Sequence, residues 1–507
     1  MKFNFKNLAL LSAMGGVLFF GCKEDKKADE KETAQVEVLP GINTEYMDTS
    51  VKPSEDFFRF VNGKWLDTNE IPEDRTVWGS FNELRKKTDD DALAILKEAM
   101  SNDKDLKGIQ VVPGSDQEKA VFYYQTIMDT VGRNKAGLEP VKPYLAKVEA
   151  INNIEDLQNY MIEMEPAGGG GLYGVGVGAD PKDSDRNVAY LGGGSTGLPD
   201  RDYYVKDDAD SKEKREKYVA HITRMLQFLG DSEEEAKEQA EQILAFETRL
   251  EEAKMDKVDR RDARKRYNPR SIEQVQEMVP EVDWKKFFAG VGLKDLDTVI
   301  VGDLGYFKRL HEVLADNNVD NWKAYLKWNT FRSAAGYLST DIETANWEFY
   351  GKELNGAKAQ RPREERALAA LNGTLGEALG KLYVDKKFPP EAKEKAEKMI
   401  KNVILAFEKR IEKLDWMSPE TKQKAIEKLK ATKVKIAYPD KWKDYSDLEV
   451  KSVEEGGSYL QNSLNARVWN FNEDINKLDK PVDKSEWYMA PQIVNAYFNP
   501  SYNEIVF

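Results

Sequence analysis

Ser115-Asp-Gln-Glu118 opens the stretch that decides the fold class. A Ser followed three residues later by Glu is a capping box, whose side chains can satisfy amide donors left open in a first helical turn. Behind it, Val121, Tyr124 and Met128 recur on one face, so an amphipathic helix is predicted. Working outward, Ile222, Met225, Leu226 and Leu229 repeat that spacing. Pro389-Pro390 opens a longer helix expected to turn Met399, Val403, Phe407 and Leu414 inward, and Ser418-Pro419 caps and starts the next. Strand signals are few. Leu172 to Ala179 and Val188 to Leu191 flank a polar turn, Asp180 to Asn187, and Val434, Ile436 and Tyr438 alternate with Lys433, Lys435 and Ala437. The last sixty or so residues read as richer in strand. The predicted class is mainly α, with small β-hairpins and no internal repeat.

The 507 residues are 40% hydrophobic and 33% charged, which suits large cores and excludes a disordered or fibrous chain; at roughly 150 residues per domain, about three domains fit. Lys+Arg 76 against Asp+Glu 90 gives a net charge of -14, which repels a phosphate backbone, so no nucleic-acid partner is expected. One Cys permits no internal disulfide, and two His leave few ways to build a metal site.

At the N-terminus, Lys2 and Lys6 precede the apolar stretch Leu8 to Phe20 and then Gly21-Cys22. That stretch is too short to cross a bilayer as a helix and reads as a secretory signal over residues 1–21. A small residue before the Cys resembles the bacterial lipoprotein cleavage box, which implies lipidation of Cys22. The charged run from Lys23 to about Val36 is a solvated spacer, making residues 22–45 a tether. The expected location is a bacterial cell envelope, as an outer-membrane lipoprotein in the periplasm or on the surface. Membrane contact would be through the lipid anchor only.

Several patterns mislead. Gly174-Val-Gly176-Val-Gly178 lacks the helix N-terminus that a dinucleotide loop needs, because Asp180-Pro181 follows; a glycine-rich hairpin is expected. His311-Glu312 begins a zinc-helix pattern, but Ala315 stands where the second His must be. His221 reads as a surface or boundary residue, and Arg260 to Arg266 as a solvated face.

Three separated segments resemble the neprilysin and endothelin-converting-enzyme family of zinc metallopeptidases, in that family's order. They are Pro53 to Trp65 continuing through Ile71-Pro72 to Trp78-Gly79-Ser-Phe81 and Leu84; Gly197-Leu-Pro-Asp200-Arg201-Asp202-Tyr203-Tyr204; and Trp487-Tyr-Met489-Ala-Pro491-Gln-Ile-Val494-Asn495-Ala496-Tyr497-Phe498-Asn499-Pro500, then Asn503-Glu504-Ile505-Val506-Phe507. Animal members carry Cys where Ser54 and Asn62 stand, which fits a bacterial member without disulfides.

The resemblance implies a helical family region over 46–438 and the beginning of a thermolysin-like α+β catalytic lobe over 439–507. It also implies zinc as cofactor and short peptides as substrates. In the family, an H-E-x-x-H helix and a later Glu lie beyond the segment matching Phe507, so neither zinc ligands nor general base can be assigned here, and the chain alone is expected to be inactive. Residues matching Asn495 and Ala496 hold the peptide main chain beside the zinc. Ile493 to Phe498 reads as a strand, Asn499 to Asn503 as a turn and Glu504 to Phe507 as a returning strand. An edge strand suits the role, since its backbone groups can pair with an extended peptide. The rival reading is a non-catalytic peptide- or glycan-binding lipoprotein, and Asn495 would then be a hydrogen bond within its own sheet.

Overall fold

In a computed structural model of the chain, the described residues are 41–101, 109 and 111–507. The signal stretch, Cys22 and the spacer to Val36 lie outside the described residues.

The chain divides into two compact units, Met1–Asp67 and Thr68–Phe507. In the described part of the first, the helix Phe57–Thr68 begins at Asp56, whose Oδ1 accepts from Arg59 N at 2.8 Å. Gly63 is buried there because a Cβ would stand 2.4 Å from that of Asp48.

The second unit is helical with two small sheets. Ser115 does cap the helix Asp116–Met128, accepting from Glu118 N. The reciprocal half of the box is diverted: Glu118 Oε2 takes Gly114 N at 2.6 Å, one residue earlier than expected. Ile222, Met225 and Leu226 are buried on the helix Ala209–Phe228. In the first sheet, β1 (Tyr173–Asp180), β2 (Asp183–Gly193), β3 (Asn268–Ser271) and β4 (Thr298–Val301) lie in the order β1-β2-β4-β3. The glycine-rich stretch is thus a hairpin strand. Its turn is shorter than the sequence suggests, because backbone pairing tolerates polar side chains on an exposed ladder; Asp180 faces Asp183 across a bulge, and Asp180 Oδ2 holds Arg186 Nη2 at 2.7 Å.

In the second sheet, β5 (Lys433–Lys435), β6 (Tyr497–Asn499) and β7 (Glu504–Val506) take the order β5-β7-β6. The alternation read into β5 is overturned at Lys435, which is 6% exposed because it neutralises a buried carboxylate described below. The last sixty residues are also less strand-rich than expected. Ser458 caps a 17-residue helix, Tyr459–Ile475, while β6 and β7 have three residues each.

The helix Pro390–Glu412 forms where predicted, but its facing does not. Ile400 and Ile411 are buried, whereas Met399, Val403 and Phe407 are 59%, 57% and 53% exposed. The helix carries apolar residues on two sides, and those predicted to face inward are the more exposed.

Candidate functional site

The third quoted segment is held from below by the helix Arg363–Lys387. Gln492 is 3% exposed, and its Nε2 donates to Asn372 Oδ1 at 2.7 Å and Gly376 O at 2.9 Å. Gly376 and Gly380 make the approach possible: a Cβ at the first would stand 2.9 Å from Ala490 Cβ, and at the second 2.7 Å from Pro491 Cδ. Leu375 leaves helical geometry (φ -119°, ψ 37°) where the Gln492 side chain meets the backbone ladder, a recognised cause of kinks.

Beyond this anchor, Asn495 and Ala496 are exposed and lie outside any helix or strand, and Asn495 Oδ1 accepts from Ala496 N at 2.9 Å. The strand expected from Ile493 starts only at Tyr497, because the ladder with β7 has three pairs, Tyr497↔Val506 to Asn499↔Glu504, and the Ala496 amide is taken by its neighbour's side chain. The turn closes through Asn503, whose φ of 46° suits a small amide side chain. Among the described residues, β6 is an edge strand, so alternate backbone groups turn to an open side.

Beneath the hairpin, Lys435 Nζ lies 2.7 Å from Glu504 Oε2, with side chains 5% and 0% exposed, and donates to Glu486 O at 2.6 Å. Neither Glu504 oxygen receives an aligned hydrogen bond, so the contact is one of charge. Tyr488 OH meets Tyr502 OH at 3.2 Å. Neither Gln492 nor the Lys435–Glu504 pair was singled out from sequence. The only signal was a polar residue inside each apolar run.

The second quoted segment is structural. Glu247, fully buried on the helix Glu233–Glu252, accepts from Gly197 N (3.0 Å), Tyr204 OH (2.8 Å) and Tyr218 OH (3.0 Å). Gly197 admits no side chain, since a Cβ would meet Tyr218 OH at 1.7 Å. Burial lifts the Glu247 carboxyl to about 7 against the pull of these donors.

The structure places the two histidines in different surroundings. His221 is buried rather than at the boundary, because Phe349 stacks on it at 4.7 Å and Trp328 meets it edge-on. Burial, aided by Arg224 and Arg332, pushes its imidazole down to about 3, so it stays neutral inside an aromatic core. His311 Nδ1 pairs at 2.8 Å with Glu281, in the turn between the helices Ile272–Met278 and Trp284–Gly290. Among the described residues no group of three or more His, Cys, Asp or Glu could hold a metal ion, and no helix is long and apolar enough to cross a membrane.

The sequence model of peptidase family M13 matches residues 53–439. The chain is 29% identical over 495 residues to an endothelin-converting enzyme homolog of Locusta migratoria, covering 91% of this chain and 65% of that protein. It is 29% identical over 454 residues to a Streptococcus gordonii protein named as a zinc metalloproteinase, covering 89% and 79%. Among solved structures, the zinc metalloprotease of Mycobacterium tuberculosis in complex with inhibitor matches with a TM-score of 0.84 and 32% identity, over 93% of this chain and 70% of that one. The chain thus spans less than two thirds of the length of the locust protein and of Neprilysin-3 of Drosophila melanogaster, at 65% and 62%.

Proposed function

This chain belongs to peptidase family M13, and from that premise we propose that it forms the peptide-admitting part of a zinc metalloendopeptidase acting on short peptides. The observation that carries the reading is the exposed Asn495-Ala496 pair leading into an edge strand, held on a rigid helix by Gln492. An extended peptide laid along β6 pairs with its open backbone groups. The Asn495 amide, able to donate and to accept, fixes the register of the peptide main chain. Recognition of main chain rather than side chain permits a broad range of sequences. Residues 46–438 supply the helical region, enclosing a chamber that admits peptides and excludes folded proteins, and residues 439–507 begin the catalytic lobe.

Zinc, when bound in such an enzyme, polarises the scissile carbonyl and activates water. Among the described residues no group of three or more His, Cys, Asp or Glu could hold the metal, so no zinc ligand or general base is assigned to this chain. The protein is anchored in a bacterial envelope through lipidated Cys22.

In the whole enzyme, Asn495→Ala should lower kcat/KM by about 1–3 kcal/mol of transition-state binding, the scale of one desolvated hydrogen bond. A specificity constant equal to wild type would remove Asn495 from the site. A protein that binds peptides but leaves them uncut with zinc supplied would favour the binding-lipoprotein reading.

A further inference from the structure

The run Gly168-Gly-Gly-Gly171 has no part in the function proposed above. Gly168 and Gly169 take φ of 118° and 96°, a region that favours glycine, and with the exposed Ser333 they edge a cavity of about 60 Å³. Its floor is apolar: Val141, Met164, Ala334, Leu460 and Leu464 are all buried. By the room one water occupies, it takes about four to six heavy atoms. Arg467 and Asn329 line it as well. The Arg467 guanidinium meets Ala167 O at 3.4 Å and Tyr337 OH at 2.7 Å, but no Asp or Glu pairs with it among the described residues. It lies over the glycine run, where a Cβ at Gly168 would stand 3.0 Å from Arg467 Nη1. Asn329 is 7% exposed, and its Oδ1 accepts from Arg332 Nη2 at 2.9 Å. That bond fixes the orientation of the amide and leaves Nδ2 without a hydrogen-bond partner, a costly state for a buried donor. No Asp or Glu among the described residues lines the cavity, so it offers donors and apolar surface and lacks a negative charge.

We propose that this cavity binds a branched short-chain carboxylate, either a free acid or the C-terminal residue of a peptide, with the alkyl group on the floor and the carboxylate on Arg467. The inference goes beyond the function proposed above, since the cavity is built from the helices Val319–Ala334 and Tyr459–Ile475 and the glycine run, and includes neither Asn495 nor β6. A guanidinium presents paired N–H donors that match the two oxygens of a carboxylate, and Asn329 Nδ2 supplies a further donor. An isobutyl group fills the volume and gains by leaving water. A cationic ligand would be repelled by Arg467, and an uncharged one would leave the guanidinium without a counter-charge.

The probe is isovalerate, titrated into the full chain and followed by saturation-transfer NMR of its methyl groups. The expected result is a dissociation constant on the order of 1 mM, as befits so small a ligand. Binding should weaken about tenfold when isoamyl alcohol replaces the acid, and by a similar factor in Arg467→Gln, because each removes the charge-assisted contact. Ala334→Leu fills the floor while keeping Arg467, and should abolish binding. An acetylated dipeptide ending in Leu, compared with its C-terminal amide, separates the two sources. Displacement of isovalerate by the free-carboxyl peptide alone assigns the cavity to peptide C-termini, and displacement by neither assigns it to free acids. Absence of isovalerate binding to the wild-type chain, equal binding of isoamyl alcohol, or binding that survives both substitutions overturns the proposal. The readout needs neither zinc nor cleavage, so its failure leaves the function proposed above standing, and the failure of that function leaves this cavity to be tested by itself.

Discussion

Replacing Lys435 by Met tests the charge beneath the candidate clamp. The native pair is 2.7 Å apart with both side chains essentially dry, and Lys435 Nζ also serves the Glu486 carbonyl. At an effective dielectric constant of about 20 the gross attraction is about 6 kcal/mol, most of which offsets desolvation of the two ions. Removing the cation leaves Glu504 at 0% exposure with no counter-charge. Breaking a buried pair by removing one partner costs about 3–5 kcal/mol, which is the loss expected for Lys435→Met. Lys435→Met combined with Glu504→Leu removes both ions and should recover all but about 1 kcal/mol, the residue being the stranded Glu486 carbonyl. Urea unfolding of the two single variants and the double variant gives the coupling energy, and hydrogen exchange at Phe498 and Ile505 reports whether the hairpin opens first. A Lys435→Met variant within about 1 kcal/mol of wild type, or a double variant no more stable than the single, would refute the reasoning.

Glu247 gives stability a pH dependence of known sign. Burial raises its carboxyl from 4.5 to about 7, so the folded protein holds the proton more tightly than the unfolded chain; the contribution is full below 4.5 and is lost as pH rises through 7. The shift corresponds to an upper bound on the order of 3 kcal/mol, and Glu247→Gln should flatten the melting temperature across this window, whereas an unchanged slope refutes the assignment. Cys22→Ser should move the protein from the detergent phase to the aqueous phase of a phase-partition experiment on cells expressing it. Continued partition with detergent would exclude the lipid anchor.

Sequence carried the local grammar of the fold well and its facing less well. Ser115, Ser418 and the Pro389-Pro390 pair mark helix starts because capping is settled by a few adjacent atoms. The facing of a helix with two apolar stripes depends on what lies around it. Periodicity therefore named Met399, Val403 and Phe407 correctly as one face and misjudged where that face points. His221 was misplaced for a related reason. Its charged sequence neighbours suggested solvent, while Phe349 and Trp328, distant in sequence, enclose it.

The candidate site divides in the same way. Asn495 and Ala496 were legible only through resemblance, since an exposed Asn before a strand has many possible roles. Their support is nonlocal: Gln492 on a kinked helix, two glycines beneath Ala490 and Pro491, and an ion pair formed by residues on β5 and β7. Each of these is a polar or small residue where an apolar one would pack more simply. A flat edge strand needs such support to hold its backbone groups in fixed positions, because a three-residue ladder with one partner strand is marginal by itself. The support of this hairpin therefore comes from the helix Arg363–Lys387 and the Lys435–Glu504 pair, so that pair is where stability and the proposed peptide binding should fail together.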